Sequence, residues 1–530
     1  MGARRAESKT YASTLHRNNL FAPGRRAAEF ATKIAKIYSF YLGKAQNLYQ
    51  FFLSNSAALS AQEVFDPPLR EKCGVFGAIG SNLDVSRLTF YGLFALQHRG
   101  QEATGICVAN QSGIDCHKGA GLVSQVFTEE AITGLQGDVA IGHNRYSTSR
   151  SSAPETDQIQ PYVSESKTLA IAHNGNLPST KALEDFLTEK GIATKGHNDS
   201  KLMHLAIQHY MDEGKTAADA VAAAYPLFTG AFALLVMTPD TLIGACDPRA
   251  MRPLSVGMLD GGYVFASESC ALNTIGTEVH WEVGPGEMVV ATKDSIERTV
   301  LVEKPERRSD IFEFVYFARP DSRMMGRSVY QARWSSGYEL ARENNIEADV
   351  VVPVPETSVP SAIGYAKFAG IPLEMALTKN RYIHRTFIEP SQNIRELGVA
   401  LKLNVLSSVV KDKRVVLIDD SIVRSTTSKQ IVSMLFTAGA KEVHFMVASP
   451  PVKYPDFYGI DTPTQDQLIA SHKSVKEIEA EIGATSLNFL SLEGLIKAIG
   501  VSADKLSTSC FTGEYPIDIA HNKDNIKFNV

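Results

Sequence analysis

Residues 414–428 read RVVLIDDSIVRSTTS. An apolar strand, Arg414–Ile418, runs into two adjacent acids, Asp419 and Asp420. Ser421 follows, and then a hydroxyl run, Ser425-Thr426-Thr427-Ser428, opens a helix whose core-facing positions are Ile431, Val432, Met434 and Leu435. Open α/β sheets bind ligands at the carboxyl ends of their strands. A helix start offers unpaired N–H groups and a positive dipole end to a phosphate. Two carboxylates suit ribose hydroxyls or the oxygen shell of Mg2+. A single Asp would favour a plainer reading, a strand–turn–helix capped by Asp and Ser. The acid pair and the hydroxyl run together weigh against it.

Working outward, strands alternate with helices from about Phe312 onward. Asp349–Pro353 and Val443–Val447 are the neighbouring strands, and the alternation predicts a parallel sheet with helices on both faces. Val352-Pro353-Val354-Pro355-Glu356-Thr357-Ser358 ends one strand in a second loop. A basic segment holds Lys379-Asn380-Arg381-Tyr382, then Arg385-Thr386-Phe387-Ile388 and Lys402-Leu403-Asn404. Alone it reads as solvated surface. From Cys73 to about Glu306 the chain is instead strand-rich, with short runs such as Thr168–Ala172 and Gly230–Met237 between Gly, Asn and Pro.

Cys73 heads the first of these strands, Cys73-Gly74-Val75-Phe76-Gly77. A deprotonated thiol is a good nucleophile. No Cys–His dyad is readable nearby. Cutting Lys72–Cys73 would free the α-amine of Cys73, a base with a pKa near ~8 on the same residue as the thiol.

Composition bounds the remaining choices. The 530 residues suit two to four domains. A net charge of −5 gives no reason to expect nucleic acid. No apolar stretch approaches the ~18 residues of a membrane span. The six cysteines lack C-x-x-C spacing and read as reduced thiols of a cytoplasmic protein. Residues 1–72 hold eleven Lys and Arg against five Asp and Glu, with an amphipathic helical pattern over Ala27–Leu53. They read as a removable leader, a propeptide or a start codon set too far upstream; an organelle transit peptide and a permanent domain are the other readings.

These motifs carry a family resemblance. The acid-pair loop resembles the signature by which type I phosphoribosyltransferases hold 5-phosphoribosyl-1-diphosphate (PRPP). Cys73-Gly74-Val75-Phe76-Gly77, Leu96-Gln97-His98-Arg99-Gly100-Gln101-Glu102, Gly142-His143-Asn144-Arg145-Tyr146 and Ala172-His173-Asn174-Gly175-Asn176-Leu177 resemble the N-terminal-nucleophile glutaminases. Glutaminase followed by phosphoribosyltransferase is similar to the amidophosphoribosyltransferase family, from about Cys73 to Tyr515.

The resemblance implies an αββα N-terminal-nucleophile domain over 73–306, an α/β phosphoribosyltransferase domain over 307–515, and a tail over 516–530. It implies that glutamine, PRPP and water give 5-phosphoribosylamine, glutamate and pyrophosphate, with ammonia passed between the sites. Cys73 would be the nucleophile, and Asn174 and Gly175 the oxyanion hole. Arg145, Asp199 and Gly100 would hold glutamine. Asp419, Asp420, Ser421, Ser425, Thr426, Thr427, Ser428, Lys379, Arg385 and Lys402 would bind PRPP. Thr357, Asp419 and Asp420 would hold one Mg2+ per subunit. Purine nucleotides are implied as inhibitors, and a homo-oligomer, dimer or tetramer, as the assembly.

The sequence also departs from the family. Asp310, Asp456, Asp504 and Ser507 stand where many members place four cysteines around an iron–sulfur cluster, so no cluster is expected. Ser425, His384 and Ala250 stand where glycine is usual, and Lys201 where an acid is usual. A catalytically weakened nucleotide-binding regulator is the alternative these departures suggest.

Overall fold

The computed structural model describes residues 73–146, 158–380, 403–458 and 464–520, all inside one compact unit, Phe65–Val530. Residues 1–72, His384, Arg385, Lys402 and 521–530 lie outside the described residues.

The first half is two stacked antiparallel sheets between helices. In the seven-stranded sheet β1 (Gly74–Ile79) is central, flanked by β4 (Val139–Arg145) and β10 (Gly262–Ala266). Beyond these lie β2 (Ala103–Asn110) and β3 (Gly113–Ala120) on one side, and β9 (Ser255–Leu259) and β11 (Trp281–Glu282) on the other. The six-stranded sheet runs β13 (Ile296–Val300), β12 (Glu287–Ala291), β8 (Leu242–Cys246), β7 (Thr229–Met237), β6 (Ala170–Ser179), β5 (Tyr162–Val163). Val75, Ile79 and Ile141 of one sheet meet Ala172, Ala233, Leu235 and Leu242 of the other in a dry core. The outer faces are covered by α1 (Val85–Ala95) and by α2 (Lys181–Glu189), α3 (Asp199–Asp212) and α4 (Ala217–Ala224). Because β1 is buried on both faces, it reads as a continuous apolar run rather than an alternating one.

In the second half, β14 (Val350–Pro353), β15 (Arg414–Asp419), β16 (Glu442–Val447) and β17 (Ser486–Phe489) form a four-stranded parallel sheet in that order. Its faces alternate by residue. Val416 and Ile418 pack under α5 (Val329–Glu343), α6 (Val359–Ala369) and α9 (Leu492–Ile499). Val415 and Leu417 pack under α7 (Ser425–Thr437) and α8 (Val475–Ile482). Burial on both sides explains the unbroken Val/Ile/Leu runs of these strands.

A buried ion network joins the halves. The Arg99 guanidinium donates to Glu268 at 2.5 Å and to Glu313 at 2.7 and 3.0 Å. Arg252 pairs with the same Glu313 at 2.7 Å and with Asp310 at 3.4 Å. Burial opposes ionisation of Glu313, but Arg99 and Arg252 outweigh it and hold the carboxyl below its usual range.

One expectation is overturned. Cys107 and Cys116 are not both reduced thiols: they face each other across the β2–β3 ladder, with Cα atoms 4.1 Å apart, and form a disulfide. Sequence spacing does not show which cysteines a ladder will align.

Two local features have measurable consequences. Ala250 is buried with φ +45°, in the left-handed region. That costs a non-glycine residue ~1–2 kcal/mol, against ~0.4–1 kcal/mol of extra chain entropy for glycine when unfolded. The lost core methyl costs a further ~0.8 kcal/mol, so Ala250→Gly is expected to leave the unfolding free energy within about 0.5 kcal/mol of the parent, well short of the ~2 kcal/mol or more typical of a core truncation, read as a nearly unmoved denaturant midpoint at unchanged slope.

His143 and His204 are buried, and neither ring nitrogen of His204 has a hydrogen-bond partner among the described residues. Burial pushes each down to about 3. The unfolded chain therefore takes up these protons first, and each histidine subtracts stability as pH falls below its ordinary value of ~6.5. The stability of His204→Met relative to the parent protein should rise by up to ~1.4 kcal/mol per pH unit below 6.5. A pH-independent difference in urea melts between pH 7 and 5 would exclude this.

Candidate active sites

The first site forms around the head of β1. Cys73 is half-buried, and its carbonyl accepts from Arg99 Nε at 3.3 Å. Val75, two residues on, exchanges two hydrogen bonds with Ser267: its N–H donates to the hydroxyl at 2.9 Å, and its carbonyl accepts from the Ser267 N–H at 3.0 Å. The same hydroxyl lies 3.3 Å from Asn174 Nδ2. Ser267 thus bridges the two sheets and sets Asn174 beside the strand that Cys73 heads.

Gly175 follows Asn174 with φ +153°. A Cβ there would stand 2.0 Å from the Ala231 carbonyl oxygen, so only glycine fits against β7. The β1–β4 register pairs Gly74 with Asn144, which brings Arg145 level with Cys73. A Cβ on Gly100 would stand 2.8 Å from the Arg145 carbonyl, so this residue lets the preceding turn close on β4. Arg145 Nη2 reaches Gln158 at 3.5 Å, and its Nη1 is buried without a partner among the described residues.

Asp199 opens α3, where Asn198 is the N-cap and accepts from Lys201 N–H at 2.9 Å. The Asp199 carboxylate accepts from the Leu177 N–H at 3.2 Å and the Ser200 N–H at 2.7 Å. It therefore sits against β6, two residues past Gly175. Cys73, Asn174, Gly175, Arg145, Gly100 and Asp199 are all brought to one end of the sandwich. Sequence reasoning assigned no role to Ser267 or Gln160. Gln160 accepts from the His173 N–H at 2.7 Å and donates to Ser200 at 3.2 Å, stiffening the same strand.

The second site lies at the carboxyl edge of the parallel sheet. Asp419 ends β15, and its carboxylate accepts from the Asp420 N–H at 2.9 Å. The Ser421 hydroxyl donates to Asp420 at 2.7 Å. Burial pushes Asp420 up to about 6. Burial and the neighbouring Asp420 carry Asp419 well above the carboxylate range. Two oxygen-rich side chains that resist ionising without a counter-charge are a donor set suited to a hard divalent cation.

Ser425, Thr426, Thr427 and Ser428 form the first turn of α7, and no side chain caps that turn. Its N–H groups are the orphan donors of any helix start. β14 ends beside β15, with the Val354 N–H donating to the Ile418 carbonyl at 2.8 Å. The following loop, with a cis Pro355–Glu356 peptide and a half-buried Thr357, therefore opens on the same edge. Exposed Lys379 ends a short strand, Leu377–Lys379, and pairs with Leu403 of Leu403–Val405. Arg385 and Lys402 lie outside the described residues.

Asp310, Asp456, Asp504 and Ser507, the four residues singled out in the sequence as departures, have protein partners of their own. Asp310 accepts from the Phe312 N–H at 2.9 Å and faces Arg252. Asp456 accepts from the Tyr458 N–H at 2.8 Å. Ser507 hydrogen-bonds Ser509 at 3.0 Å, and Asp504 accepts from Ser502. These are oxygen ligands for hard ions, not the thiolates an iron–sulfur cluster takes.

Comparison with known proteins agrees with this geometry. Residues 143–274 match the glutamine amidotransferase domain family, and residues 334–454 the phosphoribosyl transferase domain family. The amidophosphoribosyltransferase of Bacillus subtilis is 44% identical over 461 residues, covering 85% of this chain and 95% of that protein. The Synechocystis amidophosphoribosyltransferase is 43% identical over 474 residues, covering 88% and 95%. The solved B. subtilis glutamine PRPP amidotransferase, complexed with ADP and GMP, superposes with a TM-score of 0.79 over 85% of this chain and 98% of that one. A cysteine-headed sandwich and an acid-pair helix start thus occur together in one chain with full-length relatives, and the chain belongs to the amidophosphoribosyltransferase family, the glutamine-dependent pentosyltransferases of the first step of purine biosynthesis.

Proposed function

We propose the following division of labour, with residues 73–306 as the glutaminase, 307–515 as the phosphoribosyltransferase, 516–530 as a tail and 1–72 as a leader removed before activity. The Cys73 thiolate attacks the glutamine side-chain carbonyl. The α-amine freed by cleavage after Lys72 takes the thiol proton and delivers it to the departing nitrogen, so ammonia leaves and a thioester remains. Water then releases glutamate and restores the thiol. Asn174 Nδ2 and the Gly175 N–H hold the oxyanion. The Arg145 fork takes the substrate carboxylate. Asp199 pairs with its ammonium, and Gly100 keeps the Arg145 backbone close. The observation that carries this reading is the Val75–Ser267–Asn174 hydrogen-bond chain, which sets an amide donor beside the strand that Cys73 heads.

Ammonia passes inside the protein to the second site and attacks C1 of PRPP as pyrophosphate leaves. The first turn of α7, from Ser425 to Ser428, cradles the 5-phosphate beside Ser421. Asp419 and Asp420 face the ribose hydroxyls. Lys379, Arg385 and Lys402 close over the pyrophosphate, excluding water from the cationic sugar. Thr357, Asp419 and Asp420 would hold Mg2+, which when bound offsets the negative charge gathering on pyrophosphate.

No iron–sulfur cluster belongs to this reading, because the four matching positions carry oxygen side chains with protein partners. Purine nucleotides as inhibitors, a dimeric or tetrameric assembly and a cytoplasmic location complete the proposal. The nucleotide expectation is supported by the relative solved with ADP and GMP. No helix among the described residues is long and apolar enough to cross a membrane.

The test is glutamine-dependent pyrophosphate release by a chain beginning at Cys73. Asn174→Ala should lower its kcat ~10²–10³-fold, the loss of one oxyanion donor, while ammonia-dependent synthesis stays intact. Asp420→Asn should abolish synthesis from either nitrogen source. A chain that retains residues 1–72 should work only with ammonia. Glutamine-dependent turnover that survives Asn174→Ala unchanged would remove the oxyanion assignment.

A further inference from the structure

Behind Asp199 lies a buried polar cluster that the assigned site leaves unused. Asp199 Oδ1 accepts from the Ser200 N–H at 2.7 Å and from the Ser200 hydroxyl at 3.2 Å, and Oδ2 accepts from the Leu177 N–H. The Ser200 oxygen in turn lies 3.2 Å from Gln160 Nε2 and 2.9 Å from His173 Nδ1. Ser200, Gln160 and His173 are all buried, whereas the Asp199 side chain keeps an exposed edge.

Buried groups must satisfy one another, and the donor and acceptor inventory orients this set. Gln160 Oε1 accepts from the His173 N–H at 2.7 Å, a partner that can only donate. The amide is therefore fixed, and Nε2 donates to Ser200. The serine oxygen has a single proton. Directed at His173 Nδ1, that proton would leave an oxygen lone pair facing the Asp199 carboxylate at 3.2 Å. Directed at Asp199, it leaves the oxygen to accept from Gln160 Nε2 and His173 Nδ1, and each contact joins a donor to an acceptor. The backbone of Gln160 is held as well. Its carbonyl oxygen is wedged against β2, where a Cβ on Gly105 would stand 2.3 Å from it, and the preceding Ile159 carbonyl accepts from Lys118 at 3.2 Å.

We infer that Gln160 and Ser200 are positioning residues for recognition of the glutamine ammonium: Gln160 turns the Ser200 hydroxyl onto Asp199, and the hydroxyl holds the carboxylate in place for that cation. The inference rests on the reading of Asp199 as the ammonium site. A hydrogen bond to an ionised acceptor is stronger than its neutral counterpart, and donors in a chain polarise one another in the same direction. The relay pins Oδ1 as the Leu177 N–H pins Oδ2. The carboxylate is thus oriented before substrate arrives, and less of the pairing energy goes into ordering it.

The experiment compares two substrates for amide hydrolysis by the processed enzyme: glutamine, and glutaramate, the same skeleton without the α-ammonium. The readout is the ratio of their kcat/KM values. A folding defect or a disturbed oxyanion strand scales both substrates alike and cancels in this ratio. Ser200→Ala keeps the backbone N–H on Asp199 and removes only the hydroxyl; it should lower the ratio about fivefold, the scale of one hydrogen bond. Gln160→Met should lower it about threefold, and should add nothing in a Ser200→Ala background, because both act through the same hydroxyl. Asp199→Asn reports on the underlying reading and should lower the ratio at least about tenfold. If Asp199→Asn does so but Ser200→Ala or Gln160→Met leaves the ratio unchanged, or their losses add in the double variant, this inference is overturned and the ammonium site stands. If Asp199→Asn penalises both substrates alike, the ammonium reading falls and this inference with it.

Discussion

Everything in this structure hangs on one buried charge cluster, Arg99–Glu268–Glu313–Arg252. Arg99 is 1% exposed and Glu313 fully buried. Ions removed from water this completely survive only if each is paired and hydrogen-bonded. Here they are. Arg99 spends Nε on the Cys73 carbonyl and both terminal nitrogens on carboxylates. Glu268 accepts in addition from the Ser322 hydroxyl at 2.7 Å and the Arg319 N–H at 2.9 Å. Removing one partner from such a cluster strands the others, at a cost of ~3–5 kcal/mol. The cluster therefore constrains the Cys73 backbone and the start of the second half at once.

The constraint continues toward the second site. Glu313 begins a helical turn, Glu313–Phe317, whose Phe314 carbonyl and the following Ala318 carbonyl both accept from Arg333 at 2.8 Å. Arg333 lies on α5, and its positive charge helps ionise Asp420 of the acid pair. A few buried arginines thus span from the Cys73 carbonyl to the Asp419–Asp420 pair. The Asp310 position fits the same logic. A buried carboxylate resists ionising: burial and Asp456 push Asp310 well above the usual carboxylate range, although Arg252 opposes them. Asp310 thus ends the network as a polar group that accepts from the Phe312 N–H.

What could be read from the sequence had local causes. The run RVVLIDD predicted a buried strand ending in acids because burial on both faces leaves a continuous apolar pattern. The hydroxyl run predicted a helix start because those residues favour that backbone. Ala250 drew notice as a departure, and its left-handed φ shows the reason glycine is usual there. What could not be read depends on distant partners. Arg99 meets Glu268 and Glu313 across 169 and 214 residues. Ser267 meets Val75 across 192. No periodicity or spacing encodes such pairs, and the Cys107–Cys116 bridge follows only once the β2–β3 register is set.

The two sites also solve one problem in opposite ways. In the proposed mechanism each presents backbone N–H groups to a negatively charged oxygen. The first places Gly175 inside a strand ladder, where the Ala231 carbonyl 2.0 Å from any Cβ fixes both the residue type and the direction of its peptide. That donor is rigid before substrate arrives, which suits an oxyanion that exists only briefly. The second uses a helix start, whose donors are open to any group able to reach them, including the protein's own hydroxyls. A helix start gains generality and loses selectivity. There the Ser425 hydroxyl is turned onto Glu481, which pairs with Lys473, whereas at Gly175 the strand alone dictates the geometry.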